Sequence, residues 1–292
     1  MPQQPIVGEN TPIVSPLLWK MLVLVCLAFL LYAGTLARLA AQWWNDPNFS
    51  HGFFVPLISL WIVWERRKQL RELAIVPSNW GILIILWALF QLVGGVIGAE
   101  IFLARTSFVV LLGGLVVFIL GWKWLKAVAF PWLFLLTGIP LPAIVFNEIA
   151  FPMQLFASKV ATGLLRACDV PLLTEGNVIT LASVQLEVAE ACSGIRSLVT
   201  LVTLALVYGY FMEKNLTRRI ILALSAIPIA IAANAFRIFG TGICAQYWDP
   251  RAAQGFFHEF SGWVVFVLSL FLLLGTHALI KLIGRVGRKA AA

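Results

Sequence analysis

Charge is what this sequence carries least of. Asp, Glu, Lys and Arg make up 12% of its 292 residues, against roughly 25% in a soluble globular domain. A water-soluble fold of ordinary surface is therefore excluded for most of the chain. Histidine is scarcer, with three residues, and the four cysteines (Cys26, Cys168, Cys192, Cys244) contain no Cys-x-x-Cys pair. That spacing gives no support to a disulfide framework or a zinc site, so no metal and no other cofactor is expected. The Gly-x-Ser-x-Gly elbow of many serine hydrolases is missing. There is no internal repeat, and no polar stretch long enough for a separate soluble domain of about 100 residues. The net charge of +8 thus has no soluble basic domain to sit on. It reads as the lysine and arginine excess of cytoplasmic loops, and nucleic acid is not an expected partner.

What is present is apolar: 61% of the residues are hydrophobic. A helix needs about 20 such residues to cross the hydrocarbon, and about eight stretches read as spans, the second short and the fifth continuing beyond Ile139. They are Leu17 to Ala40, Gly52 to Trp64 (short, and holding Pro56), Trp80 to Gly98, Thr106 to Gly121, Ala127 to Ile139, Ile195 to Met212, Ile220 to Gly240 and Gly255 to Leu279. A brief turn is expected at Glu100 to Arg105, and an outer loop at Thr241 to Gln254. Between the fifth and sixth stretches, Ile149 to Cys168 carries Gln154, Ser158, Lys159, Thr162 and Arg166 at helical spacing, the pattern of an amphipathic helix at the outer interface. Glu175-Gly-Asn177 follows, a turn signal between branched residues that predicts a small hairpin.

Lys and Arg counts set the orientation. Glu65 to Arg71, Lys123 and Lys126, Glu213 to Arg219, and Lys281 to Lys289 are basic and read as cytoplasmic. Both termini then face the cytoplasm. The N-terminal lead lacks a basic region, so a cleavable signal is not expected. The expected fold is all-α, a polytopic membrane bundle forming one domain over residues 1–292. It comprises a polar lead (1–16), five spans (17–148), the outer amphipathic and hairpin segment (149–191), three spans with the candidate site (192–280), and a basic tail (281–292).

This topology brings Cys192, Arg237 and His258 to the outer ends of the last three spans. Cys192 sits among small and polar neighbours, Glu190, Ser193 and Gly194. Polar groups leaning on a span cost free energy and so point to function. A cation lowers a thiol pKa, and thiolate is the reactive form of cysteine. Histidine can take that proton and return it to a leaving amine. Arginine can stabilise an oxyanion. Asn234, one turn before Arg237, can orient the guanidinium. Each residue also has a plain structural reading: Cys192 as a small apolar filler, Arg237 as a snorkelling cation, His258 as an interfacial ring. His51 lies on the same side, with a structural role in its loop favoured. His277 reads as a residue of the opposite interface.

These residues reach a known family. The stretch Val188-Ala-Glu-Ala-Cys-Ser-Gly-Ile-Arg-Ser197 resembles the cysteine motif of the exosortase/archaeosortase membrane transpeptidases. Asn234-Ala-Phe-Arg237 resembles their arginine motif, and His258-Glu-Phe-Ser-Gly262, continuing to Trp263 and Phe266, their histidine motif. Phe49-Ser-His-Gly-Phe-Phe-Val-Pro56 and the Gly176-Asn177 approach to Val188 match further segments, so the resemblance runs over about residues 45 to 275. It implies a sortase-like set on an unrelated helical membrane fold: Cys192 as nucleophile, Arg237 as oxyanion or thiolate stabiliser, His258 as acid/base. Glu190, Ser193, Gly194 and Asn234 would shape the site. The implied substrates are membrane-anchored exported proteins with a C-terminal sorting signal, a Pro-Glu-Pro-like motif followed by a transmembrane helix and a basic cluster. The protein would be cleaved near the motif and passed to an outer acceptor. Some relatives carry an extra C-terminal soluble domain, which this chain does not show after its eighth stretch.

Two other classes compete. A small transporter or channel suits internal arginine, asparagine and proline, but here the polar residues gather at the outer ends and not at the midplane. A membrane thiol–disulfide oxidoreductase needs paired cysteines.

Overall fold

The structure is a computed structural model that describes residues 14–182, 184–187, 194–248 and 256–290. The chain forms two compact units, Met1–Pro140 and Leu141–Ala292.

The first unit begins with α1 (Val14–Asn45), a 3-10 turn at Ser50–Phe53, α2 (Phe54–Glu65) and α3 (Arg67–Arg71). It continues with α4 (Trp80–Ile97), α5 (Ile101–Ile119), α6 (Trp122–Ala127), α7 (Ala129–Phe134) and a second 3-10 turn, Leu135–Gly138. Between lipid-facing helices the hydrophobic effect gives little, so close backbone approach through small residues carries the packing. α4 and α5 show it: a Cβ added at Gly95 would stand 2.6 Å from the backbone nitrogen of Ala104. α1 joins them through Ala28, Tyr32, Ala88, Leu92, Ala104, Leu111 and Leu115. Inside this cluster the Tyr32 and Ser107 hydroxyls bond each other at 2.9 Å, which avoids an unsatisfied polar group in hydrocarbon. Glu100 caps α5, accepting from the Phe102 amide at 3.3 Å.

The second unit holds α8 (Ala143–Ala167), β1 (Leu172–Glu175), β2 (Val178–Leu181), β3 (Gln185–Glu187), α9 (Gly194–Met212), α10 (Leu216–Tyr247) and α11 (Phe256–Ala290). One stripe of α8 is buried: Ala150, Ala157, Ser158, Ala161, Thr162 and Leu165. The steps of three, four and seven are those of a single helix face. The helix stops where Asp169 turns left-handed (φ 57°) and the Val170 amide bonds back to the Leu165 carbonyl at 3.1 Å; aspartate tolerates that conformation better than most residues. The three strands form an antiparallel meander in the order β1-β2-β3. Glu175 pairs with Val178 across Gly176-Asn177, with Gly176 at φ 62°, a two-residue turn that needs positive φ. Ile179, Leu181 and Leu186 of the sheet bury against Ala157, Ala161 and Leu165 of α8 and Ala235, Ile238 and Ala245 of α10. α9, α10 and α11 close on a second core of Leu198, Leu201, Ala205, Leu222, Ala226, Ala230 and Leu273.

The chain is an all-α polytopic membrane protein with one small sheet among its described residues. Five helices are long and apolar enough to cross a bilayer: Met21–Asn45, Trp80–Ile97, Ile101–Ile119, Leu216–Tyr247 and Phe260–Gly284. Ala129–Gly138 and Ala143–Ala167 pass only as a pair, which gives six. The expected second stretch forms a short helix, Phe54–Glu65, and the apolar part of the sixth, Arg196–Met212, also falls short of that length. Several boundaries move. The turn expected at Glu100 to Arg105 is tighter, because Ile101 to Arg105 are already helical. The seventh span does not end at Gly240 but runs to Tyr247, so the outer loop loses Thr241 to Tyr247. The amphipathic stretch is part of a 25-residue helix, and the hairpin gains a third strand because Leu186 continues the buried face.

The end of the second unit near Leu216 carries a closed polar cluster. His277, at this end of α11, is buried among protein groups, 3% exposed. One ring nitrogen, Nδ1, bonds the Tyr208 hydroxyl at 2.7 Å, and the other, Nε2, bonds Glu213 Oε1 at 2.9 Å. Arg218 stands 3.7 Å from the second carboxylate oxygen of Glu213, and Arg219 donates to the Glu213 and Tyr210 carbonyls at 2.6 and 3.2 Å. The bond from His277 holds the Glu213 carboxyl below the usual glutamate range against the opposing effect of burial, with the Arg218 and Lys281 charges helping. This ties α9, α10 and α11 together at one end. Removing one member of such a set strands the rest, so Glu213→Ala should cost about 3 kcal/mol. A carboxylate stabilised by folding adds stability above its unfolded pKa of about 4.3 and loses it as pH falls through the lower folded value. Melting temperatures of wild type and Glu213→Gln in detergent should therefore differ at pH 7 and converge as the pH is lowered below about 4.

Candidate active site

Arg237 is fixed by the architecture of α10. The helix continues for ten residues beyond it, so the arginine does not fray with a helix end. Asn234 is buried three residues before it, and Ala233, Ala235 and Ile238 are buried around it. Ala235 and Ile238 belong to the core that holds the sheet. Thr241 donates its hydroxyl to the Arg237 carbonyl at 2.9 Å. Arg237 itself is half-buried, which keeps its guanidinium within reach of solvent or substrate.

The guanidinium points at α11. A Cβ built on Gly262 would lie 3.1 Å from Arg237 Nη2 and 3.2 Å from its Cζ. Gly262 is thus the seat against which the flat cation rests, and a side chain there would have to push the guanidinium aside by a few tenths of an ångström. The arginine and histidine motifs meet at this contact: Gly262 closes the segment that starts at His258, one helical turn or roughly 6 Å along the axis. His258 lies on α11, but its side chain is outside what the structure describes. Cys192, Glu190 and Ser193 lie outside the described residues. Gly194 opens α9, and Glu187 ends β3, so the cysteine segment is bracketed by a strand and a helix of known place. Sequence reasoning singled out Arg237 but gave Gly262 no role beyond its motif. The signal was one small residue in a helix, which has no meaning until the neighbouring helix is known.

His51 belongs to the first unit. Its Nε2 lies 3.2 Å from the Thr137 carbonyl, and the adjacent Trp43 indole donates to the Gly138 carbonyl at 2.7 Å. A ring nitrogen facing a carbonyl must carry the proton. Burial lowers the His51 pKa, with backbone bonds to Thr137 and Asn48 opposing, so the ring is held neutral as a tether between two turns.

The model of the transmembrane exosortase family matches residues 43–275. The chain belongs to that family. Searches of the curated proteins and of the solved structures found no match. The exosortase match takes in Arg237, Gly262 and the whole of the second unit as far as Gly275, while α8 and the sheet supply the wall behind the arginine.

If the seat matters, Gly262→Ala should disturb the arginine more than the fold. The new methyl forces the guanidinium aside by a few tenths of an ångström, and small misplacements of a charge-stabilising group are costly in rate. Processing of a substrate in cells should fall about tenfold or more, with the melting temperature of the purified variant close to wild type. Unchanged processing would show that the contact has no functional weight.

Proposed function

We propose that this exosortase is a cysteine peptidase or transpeptidase acting on the periplasmic face of a bacterial inner membrane, with Cys192 as nucleophile, Arg237 as charge stabiliser and His258 as acid/base. The observation that carries the reading is the seating of the Arg237 guanidinium on Gly262, one turn from His258, within the span of the family match. Chain connectivity adds to it. Two peptide units separate Cys192 from the start of α9 and can extend no more than roughly 7 Å, while the sheet leading into the cysteine segment is packed on the stretch of α10 that carries Arg237.

The chemistry follows from the residue types. His258 takes the thiol proton, and the sulfur attacks the carbonyl carbon of the scissile peptide bond. The carbonyl oxygen becomes an oxyanion that a guanidinium can stabilise. Collapse breaks the C–N bond, the imidazolium gives its proton to the departing amine, and a thioester remains on Cys192. Water or an amine or hydroxyl acceptor then attacks the thioester, the histidine deprotonating it, and the thiol is regenerated. A site at the end of membrane helices fits a substrate that is itself anchored in the bilayer. On this reading the substrates are exported proteins with a C-terminal Pro-Glu-Pro-like signal, a transmembrane helix and a basic cluster. Glu190, Ser193, Gly194 and Asn234 shape the site.

The test is co-expression with such a substrate. Wild type should convert it, and a covalent adduct at Cys192, sensitive to hydroxylamine as thioesters are, should be recoverable when acceptor is limiting. Cys192→Ala, Arg237→Ala and His258→Ala should each accumulate in the membrane and leave the substrate uncut. Arg237→Lys should be impaired almost as severely, because a point charge does not replace the planar fork. Full conversion by Cys192→Ala would return the chain to the transporter or channel class. A Cys192 disulfide to Cys168 or Cys244 in the native protein would favour thiol–disulfide exchange.

A further inference from the structure

The first unit contains a buried charge that the proposed reaction does not use. Arg105, in the second turn of α5, is 6% exposed. Glu213, the other buried charged side chain among the described residues, is answered by His277 and Arg218. Among the described residues Arg105 has no such answer. Its hydrogen bond is to a neutral group, Nη1 donating to Gln42 Oε1 at 2.6 Å, and its Nε is buried without a partner. Asp46 and Glu100, the carboxylates of the adjoining turns, bond backbone amides instead: Asp46 accepts from Asn48 at 2.9 Å, and Glu100 caps α5.

A second cation lies beside it. Arg38 is exposed on α1, one turn before Gln42, and residues four apart share a helix face. Gln42 bonds Arg105, so Arg38 stands one turn of α1 away from that contact. Gln42 spends its carbonyl oxygen on Arg105, which leaves its amide N–H groups as donors. The three residues therefore bring two positive charges and several N–H donors to one region. An anion at this place would offset the buried Arg105 charge and answer its unpartnered Nε. Its place decides which anion. The cluster sits where the C-terminal part of α1 meets the first turns of α5, toward the ends of two candidate spans, where lipid headgroups are met. Arg forks suit the paired oxygens of a phosphate.

We propose that Arg38, Gln42 and Arg105 form a binding site for a phosphate ester at the headgroup-level end of the first unit. Arg38 and Gln42 lie before the stretch matched by the exosortase family, and the proposal does not depend on the peptidase reading. The phosphate can come from a bilayer lipid or from solution.

The full-length protein purified in detergent is titrated with dihexanoyl phosphatidylglycerol, with inorganic phosphate, and with dihexanoylglycerol, which lacks the phosphate. Saturable binding is read by microscale thermophoresis. Wild type should bind the phosphatidylglycerol and not the dihexanoylglycerol. Arg38→Gln, a change at an exposed position, should weaken that binding about tenfold, the worth of one charged hydrogen bond, and Arg105→Gln should weaken it further. Binding of inorganic phosphate as well would mean that the bare anion suffices; binding of the lipid alone would identify the headgroup as the source. If Arg105→Gln does not fold, Arg38→Gln decides alone. Absence of saturable binding by either phosphate probe, or wild-type affinity in Arg38→Gln, overturns the proposal.

Discussion

The account depends on one contact, the Arg237 guanidinium lying flat against Gly262. An arginine near a membrane helix end ordinarily snorkels to water and has no fixed position. Here α10 carries on past it, the sheet is packed behind it, and the next helix offers a surface without a side chain at the point where the cation arrives. Those three constraints convert a mobile charge into a positioned one. A charge in a fixed place, costing no reorganisation when negative charge develops beside it, is what electrostatic catalysis requires.

The second unit separates its polar work between two ends. Arg237 lies 21 residues beyond Leu216 on a continuous helix, roughly 30 Å by the helical rise, which is about the thickness of the hydrocarbon core. Between the ends runs a core of leucine and alanine from α9, α10 and α11. At the far end, Tyr208, His277, Glu213 and Arg218 satisfy one another and lock the three helices. The near end then inherits a rigid frame on which a reactive group can be held in place.

The class of protein was legible in the sequence, because hydropathy reports solvent directly and a chain this poor in charge cannot cover itself with a surface that water accepts. The hairpin was legible for a similar reason: Gly176-Asn177 is a local signal with a local consequence. The end of the seventh span was not. Thr241 to Tyr247 mix polar and apolar residues, so hydropathy falls while the helix persists, held by backbone bonds and by the burial of Thr241, Gly242 and Ala245. The burial of His277 was not legible because its partners lie 64 and 69 residues away in the chain, and nothing local marks a histidine as buried. Arg237 was found by its residue type, whereas Gly262 acquires a role only when two helices are side by side. Cys192, the residue on which the mechanistic reading turns, was reached by sequence alone.

The most direct measurement is the reactivity of the Cys192 thiol. In a variant with Cys26, Cys168 and Cys244 replaced by Ala, the rate of alkylation by iodoacetamide is followed against pH, with Arg237 and with Arg237→Gln. If the seated guanidinium serves the thiol, the apparent pKa in the first protein lies well below the ordinary value of about 8.5 and returns toward it in the second. The same ordinary pKa in both proteins would contradict the account.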